Sequence, residues 1–229
     1  MTRILITGFE PFPGAPFNPT GPLVERLLKL RRPALADVER IGHIFPVTYG
    51  AVDRELPQLI AKHTPDALLM FGLAARTPHV RIETRARNDI TTIWPDAGHT
   101  RIKLGKIEPG GPRALYFGPH TALLLRAAQA TAVPSATSRD AGRYLCNYLS
   151  WRAIESVYDA RKGARGPRLA AFIHVPLVPR GTLQRRAGTT PRVTLDDLVH
   201  TGEALLLTMI KLSRREPESS VQPAVRAVA

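Results

Sequence analysis

The sequence is poor in several things, and each shortage closes off a class of protein. Its 229 residues hold one cysteine, Cys146, so neither an intramolecular disulfide nor a multi-cysteine metal site can form, and a reducing compartment is expected. No apolar stretch approaches the roughly 20 residues of a membrane span. Gly8 and Glu10 follow Ile4-Leu5-Ile6 too closely for a signal-peptide core. A cytoplasmic protein with no membrane partner is therefore expected. Neither GxGxxG nor a Walker A sequence occurs. His43, His63, His79, His99, His120 and His200 are scattered without an HExxH pair, so no catalytic metal and no cofactor are expected. Lysine is scarce: six of the 32 basic residues, the other 26 being arginine.

What is present suits a folded domain. Hydrophobic residues make up 44% and charged residues 22%, which excludes wholesale disorder, collagen and coiled coil. The formal net charge of +13 and the arginine-rich segments 161–168 and 180–192 raise polyanion binding as a function. The arginines are dispersed over nearly every predicted element, however, and no nucleic-acid reading motif occurs. A dedicated nucleic-acid partner is not expected.

Residues 4–7 form a short apolar strand that runs into a loop stiffened by Pro11, Pro13 and Pro16. After Asn18-Pro19-Thr20, the spacing of Val24, Leu27, Leu28 and Leu30 predicts a helix ending before Pro33. Strands are predicted over 38–47 and 66–72. A helix over 51–63 contains Pro57, a point of strain or the true helix start. Over 79–87, Val80, Ile82, Thr84 and Ala86 alternate with Arg81, Glu83, Arg85 and Arg87, the pattern of a half-exposed strand. Residues 89–118 read as a hairpin or long loop, 121–130 as a helix, and 132–133 as the start of a short strand. A helix opening at Asp140 repeats Leu145, Leu149, Ala153 and Val157 at every fourth position and places Cys146 near its start. Residues 169–175 are a further buried strand, 177–192 a basic loop and 195–212 the last helix. The pattern predicts a single three-layer αβα domain over 1–212, with a central mixed twisted sheet and helices on both faces, and a flexible tail over 213–229.

Three side chains stand out for chemistry. Near a helix N-terminus the macrodipole favours a Cys146 thiolate over the thiol, though a free cysteine is also a common buried packing residue. His174, at the end of an apolar strand, must hydrogen-bond to something or work there. Glu83 among arginines reads alone as an exposed ion pair of about 0–1 kcal/mol. Together they are the nucleophile, the base and the orienting carboxylate that a thiol hydrolase needs.

Thr7-Gly8-Phe9-Glu10-Pro11-Phe12 followed by Asn18-Pro19, and Ser138-x-Asp-Ala-Gly-x-Tyr-x-Cys146-Asn147, resemble the pyroglutamyl-peptidase I family. Ile82-Glu83 with Ala86-x-Asn88 and Pro95-Asp96, and then Phe172-Ile173-His174-Val175-Pro176, match its glutamate and histidine segments in the same order. The resemblance covers residues 3 to about 212. It implies a cytosolic cysteine peptidase that removes N-terminal pyroglutamyl groups from blocked peptides and assembles as a homodimer or homotetramer. Cys146 would be the nucleophile, His174 the acid and base, Glu83 the orienting carboxylate, and Phe9 and Phe12 the walls of the lactam pocket. Backbone N–H groups around Cys146, with Arg85 or Arg87, are candidate oxyanion donors. Two departures bear on specificity. The family's Gln-Ala-Gly-Gly-Arg is here Leu73-Ala74-Ala75-Arg76-Thr77, and Pro13 stands where the family has glycine. Leu73 would therefore border the acyl pocket, and a related N-acyl or lactam cap is an alternative substrate.

Overall fold

The structure, a computed structural model, describes residues 1–12, 14–179 and 193–215. Pro13, the basic segment 180–192 and the tail from residue 216 on lie outside the described residues. The strands are β1 (Thr2–Phe9), β2 (Val38–Phe45), β3 (Ala67–Leu73), β4 (Val80–Glu83), β5 (Arg85–Arg87), β6 (Ala114–Tyr116), β7 (Ser135–Ser138) and β8 (Leu169–Val175), of which β1, β3 and β8 are predominantly apolar runs. The helices are α1 (Thr20–Lys29), α2 (Tyr49–His63), α3 (His120–Gln129), α4 (Leu145–Arg161) and α5 (Leu195–Ser213).

Six strands form the central sheet in the order β2-β1-β3-β8-β4-β7. Neighbours run parallel throughout except β4 with β8, which are antiparallel and pair Arg81 with His174. Strand periodicity divides the core in two. Ile4, Ile6, Leu69, Phe71 and Ile173 face α1, α3 and α5. Leu5, Leu68, Met70 and Phe172 face α2 and α4. This is the expected three-layer αβα arrangement around a mixed sheet. The two-stranded ladder of β5 and β6 lies outside it.

Three local expectations need correction. The alternating segment is two strands, not one, because it changes sheets at Thr84. There the backbone N–H and the hydroxyl both donate to the Ser138 carbonyl at 2.8 Å, while the Thr84 carbonyl accepts from Phe117 N–H. Nor is the charged side of β4 exposed. Val80 and Ile82 enter one core and Arg81 and Glu83 lie under the other helical layer, with Glu83 0% exposed. The helix expected from Asp140 begins at Leu145. Asp140 instead accepts a turn bond from Gly142 N–H at 2.9 Å, and Gly142 has φ +82°, outside helical backbone. Pro57 sits inside α2, which starts at Tyr49 under a Thr48 cap that accepts from Ala51 N–H.

Candidate active site

The site lies where the carboxyl ends of β1, β3 and β8 meet the start of α4, the usual place for a cleft in an open α/β sheet. On β4, Arg81 is opposite His174 and Glu83 lies one pleat further along the same face. Glu83 Oε1 accepts from His174 Nδ1 at 2.7 Å and from Arg81 Nη2 at 2.9 Å. Its Oε2 is buried with no hydrogen-bond partner among the described residues. With Nδ1 engaged, Nε2 of His174 is left to face Cys146.

Cys146 is the second residue of α4. No side chain caps this helix, so its first N–H groups and the positive end of its dipole are available to an anion at the sulfur. Electrostatics couple the trio. Burial of His174 opposes its cationic form, but the negative charge and hydrogen bond of the Cys146 sulfur, then the hydrogen bond and charge of Glu83, outweigh it. The imidazole is pushed up to about 9.

The sulfur approaches β3 closely because residue 72 has no side chain. A Cβ on Gly72 would stand 2.8 Å from Cys146 Sγ and 2.6 Å from Phe172 Cζ. Beside Cys146 and His174 opens a cavity of 450 Å³, walled by Phe9, Phe12, Val47, Leu73, Tyr144 and Leu145, with Asn18, Arg81 and Asp140 also on its lining. Tyr144 is a neutral phenol, pushed up to about 12 chiefly by burial and next by Asp96 and Cys146. Its hydroxyl donates to the Pro95 carbonyl at 2.9 Å. A larger groove of 620 Å³ between α2 and α4 carries Asp53, Arg152 and Glu155 but no nucleophile placed beside a base.

A family model described as pyroglutamyl peptidase matches residues 2–211. The chain belongs to the pyroglutamyl peptidase family. That family consists of cysteine-type peptidases. The chain is 33% identical to the pyrrolidone-carboxylate peptidase of Vibrio vulnificus, over 92% of this chain and 94% of the relative. It is 30% identical to that of Thermococcus onnurineus, over 91% and 99%. Among solved structures, the Bacillus amyloliquefaciens pyroglutamyl peptidase I superposes with a TM-score of 0.77 at 25% identity, covering 93% of this chain and 98% of that one.

The family blocks now have physical reasons. Gly8 leaves room for Thr20, which a Cβ would meet at 3.0 Å, and the Thr20 hydroxyl accepts from Phe9 N–H, fixing the aromatic wall. Asn18 secures the same loop through the Glu10 carbonyl. Asn147 accepts from Arg87 N–H and donates to the Arg87 and Asp89 carbonyls, tying α4 to β5. Buried Asp96 accepts from the N–H groups of Gly98, Thr100 and Tyr49, which holds the turn over the start of α2.

All six residues singled out from the sequence, Phe9, Phe12, Leu73, Glu83, Cys146 and His174, gather here, Glu83 behind His174 and the other five on the cavity. Arg85 and Arg87 do not line it. Arg85 donates to the Arg139 carbonyl, and Arg87 pairs with Asp140 at 2.7 Å. Sequence reasoning missed Gly72 and Arg81. The β3 apolar run signals a covered strand but not which neighbour meets Gly72, and an arginine on an alternating strand reads as solvated.

Proposed function

We propose that the chain hydrolyses the amide bond after an N-terminal pyroglutamyl residue of blocked peptides, through a thioester on Cys146. The observation that carries this reading is the Glu83–His174–Cys146 series opening onto a cavity walled by Phe9 and Phe12. Family membership and the names of the relatives support the substrate class.

Glu83 holds Nδ1 of His174 and stabilises the imidazolium, which in turn stabilises a Cys146 thiolate. The flat lactam enters between the apolar walls, with the exocyclic carbonyl carbon of the scissile amide beside the sulfur. The sulfur–carbon bond forms as the carbonyl electron pair moves onto oxygen, where the free N–H groups at the start of α4 receive the negative charge. Collapse breaks the carbon–nitrogen bond, and the leaving amine takes the proton from His174. The now neutral imidazole accepts a proton from water, which attacks the thioester and expels the thiolate. Pyroglutamate leaves and the ion pair is restored.

One observation favours a second reading of the acyl group. Leu73 lies on the cavity wall where the family has glutamine, and an aliphatic side chain offers no hydrogen bond to a lactam. A different lactam or N-acyl cap would fit such a wall. A turnover screen of pyroglutamyl, N-acetyl and N-formyl amides, with and without iodoacetamide, tests both readings. Thiol-dependent release from the pyroglutamyl amide supports the first, and thiol-dependent release from another cap alone supports the second. Release that survives alkylation overturns both.

A further inference from the structure

We propose that Arg81 is a positioning residue of the catalytic trio: it ties Glu83 to the segment leading into the nucleophile's helix and restrains the basicity of His174. The inference rests on the assignment of Cys146 and His174 above.

A single guanidinium nitrogen carries the argument. Arg81 Nη2 donates to Glu83 Oε1 at 2.9 Å, to Ser138 Oγ at 2.6 Å and to the Asp140 carbonyl. It therefore joins β4, the end of β7 and the turn that precedes Cys146. Its target on Glu83 is the same oxygen that His174 uses, while Oε2 has no partner among the described residues. The two cations share one lone-pair-bearing atom, so each weakens the other's hold on it. Arg81 also stands directly opposite His174 in the sheet, and its side chain is 21% exposed, which limits screening between them. Among the described residues, the charged and titratable groups on this side of His174 are Arg81 and Glu83 from β4, Cys146 from α4 with Tyr144 just before it, and Asp140 from the turn, itself paired with Arg87 of β5. From β3 the facing residue is Gly72.

Removing the positive charge leaves the imidazolium as the one cation on Glu83 among the described residues and raises its affinity for its proton. The experiment is a pH profile of kcat/KM for a pyroglutamyl amide with the full chain and with Arg81→Gln and Arg81→Lys. The pH dependence of Cys146 alkylation by iodoacetamide is measured in parallel, with melting temperature as the fold control. In Arg81→Gln the alkaline limb should move up by about one pH unit, with kcat reduced at least tenfold and KM within about threefold. Arg81→Lys should return the limb to the wild-type position while kcat stays several-fold low, because the lysine ammonium sits one bond nearer the backbone than Nη2 and falls short of the three acceptors. An unmoved limb in a folded Arg81→Gln protein overturns the proposal. If that variant does not fold, wild-type kcat in Arg81→Lys overturns it. Alkylation follows the same titration without substrate, so an inert pyroglutamyl amide would count against the substrate and not against Arg81.

Discussion

At the scale of single residues, the trio differs from a row of independent groups because Cys146 and Glu83 together raise the proton affinity of His174. Cys146→Ser and His174→Ala should each lower kcat by about 10⁴-fold or more with the fold intact, measured by steady-state turnover beside circular dichroism. Glu83→Gln should lose less activity, since an amide can still accept from Nδ1. It should also lose stability, by about 3 kcal/mol in denaturant unfolding, because the Arg81 cation is left without its buried partner. The pH dependence has a defined sign. His174 titrates near 6.5 when unfolded and at about 9 when folded, so its contribution to stability is whole below the unfolded value and is lost as the pH rises through that window. Melting temperature should fall between those limits in the wild type. The fall should vanish in His174→Ala and shrink in Cys146→Ser, which removes the two strongest causes of the raised value.

At the scale of elements, the fit between β3 and α4 fixes the Cys146 sulfur. Gly72→Ala places a methyl group against Cys146 Sγ and Phe172 and should cost about 1–3 kcal/mol, with turnover falling as the sulfur is displaced. Far from the site, Thr194 and Asp197 form a reciprocal cap at the start of α5. Thr194→Ala should cost about 1 kcal/mol and leave kcat unchanged, a contrast that separates packing at the site from stability alone. Much of this was legible beforehand. Apolar runs marked β3 and β8, fourfold spacing marked α4, and the blocks around Phe9, Cys146 and His174 marked the cleft. What was not legible depended on partners remote in the chain. The alternation of β4 is real, but whether its charged side meets water is decided by α4 and the 139–144 turn, some 60 residues further on. The late start of α4 turned on a positive φ at Gly142, which a fourfold apolar repeat does not encode.

At the scale of the whole molecule the formal net charge is +13, but the described lining of the cleft carries one arginine, Arg81, with Asp140 also on it. kcat/KM for an uncharged pyroglutamyl amide should therefore stay within about twofold between about 50 and 500 mM salt. A drop of several orders of magnitude would mark a site built for polyanions. No helix among the described residues is long and apolar enough to cross a membrane. The sheet order has a further consequence during synthesis. β8 is the last described strand in the chain yet occupies a central slot, between β3 and β4. A nascent polypeptide leaving the ribosome must keep that slot open until residues 169–175 emerge, with two unpaired edges for chaperones to shield. The strand that fills the slot also delivers His174, so on the proposed mechanism the Cys146 thiol has no base beside it until residues 169–175 have paired.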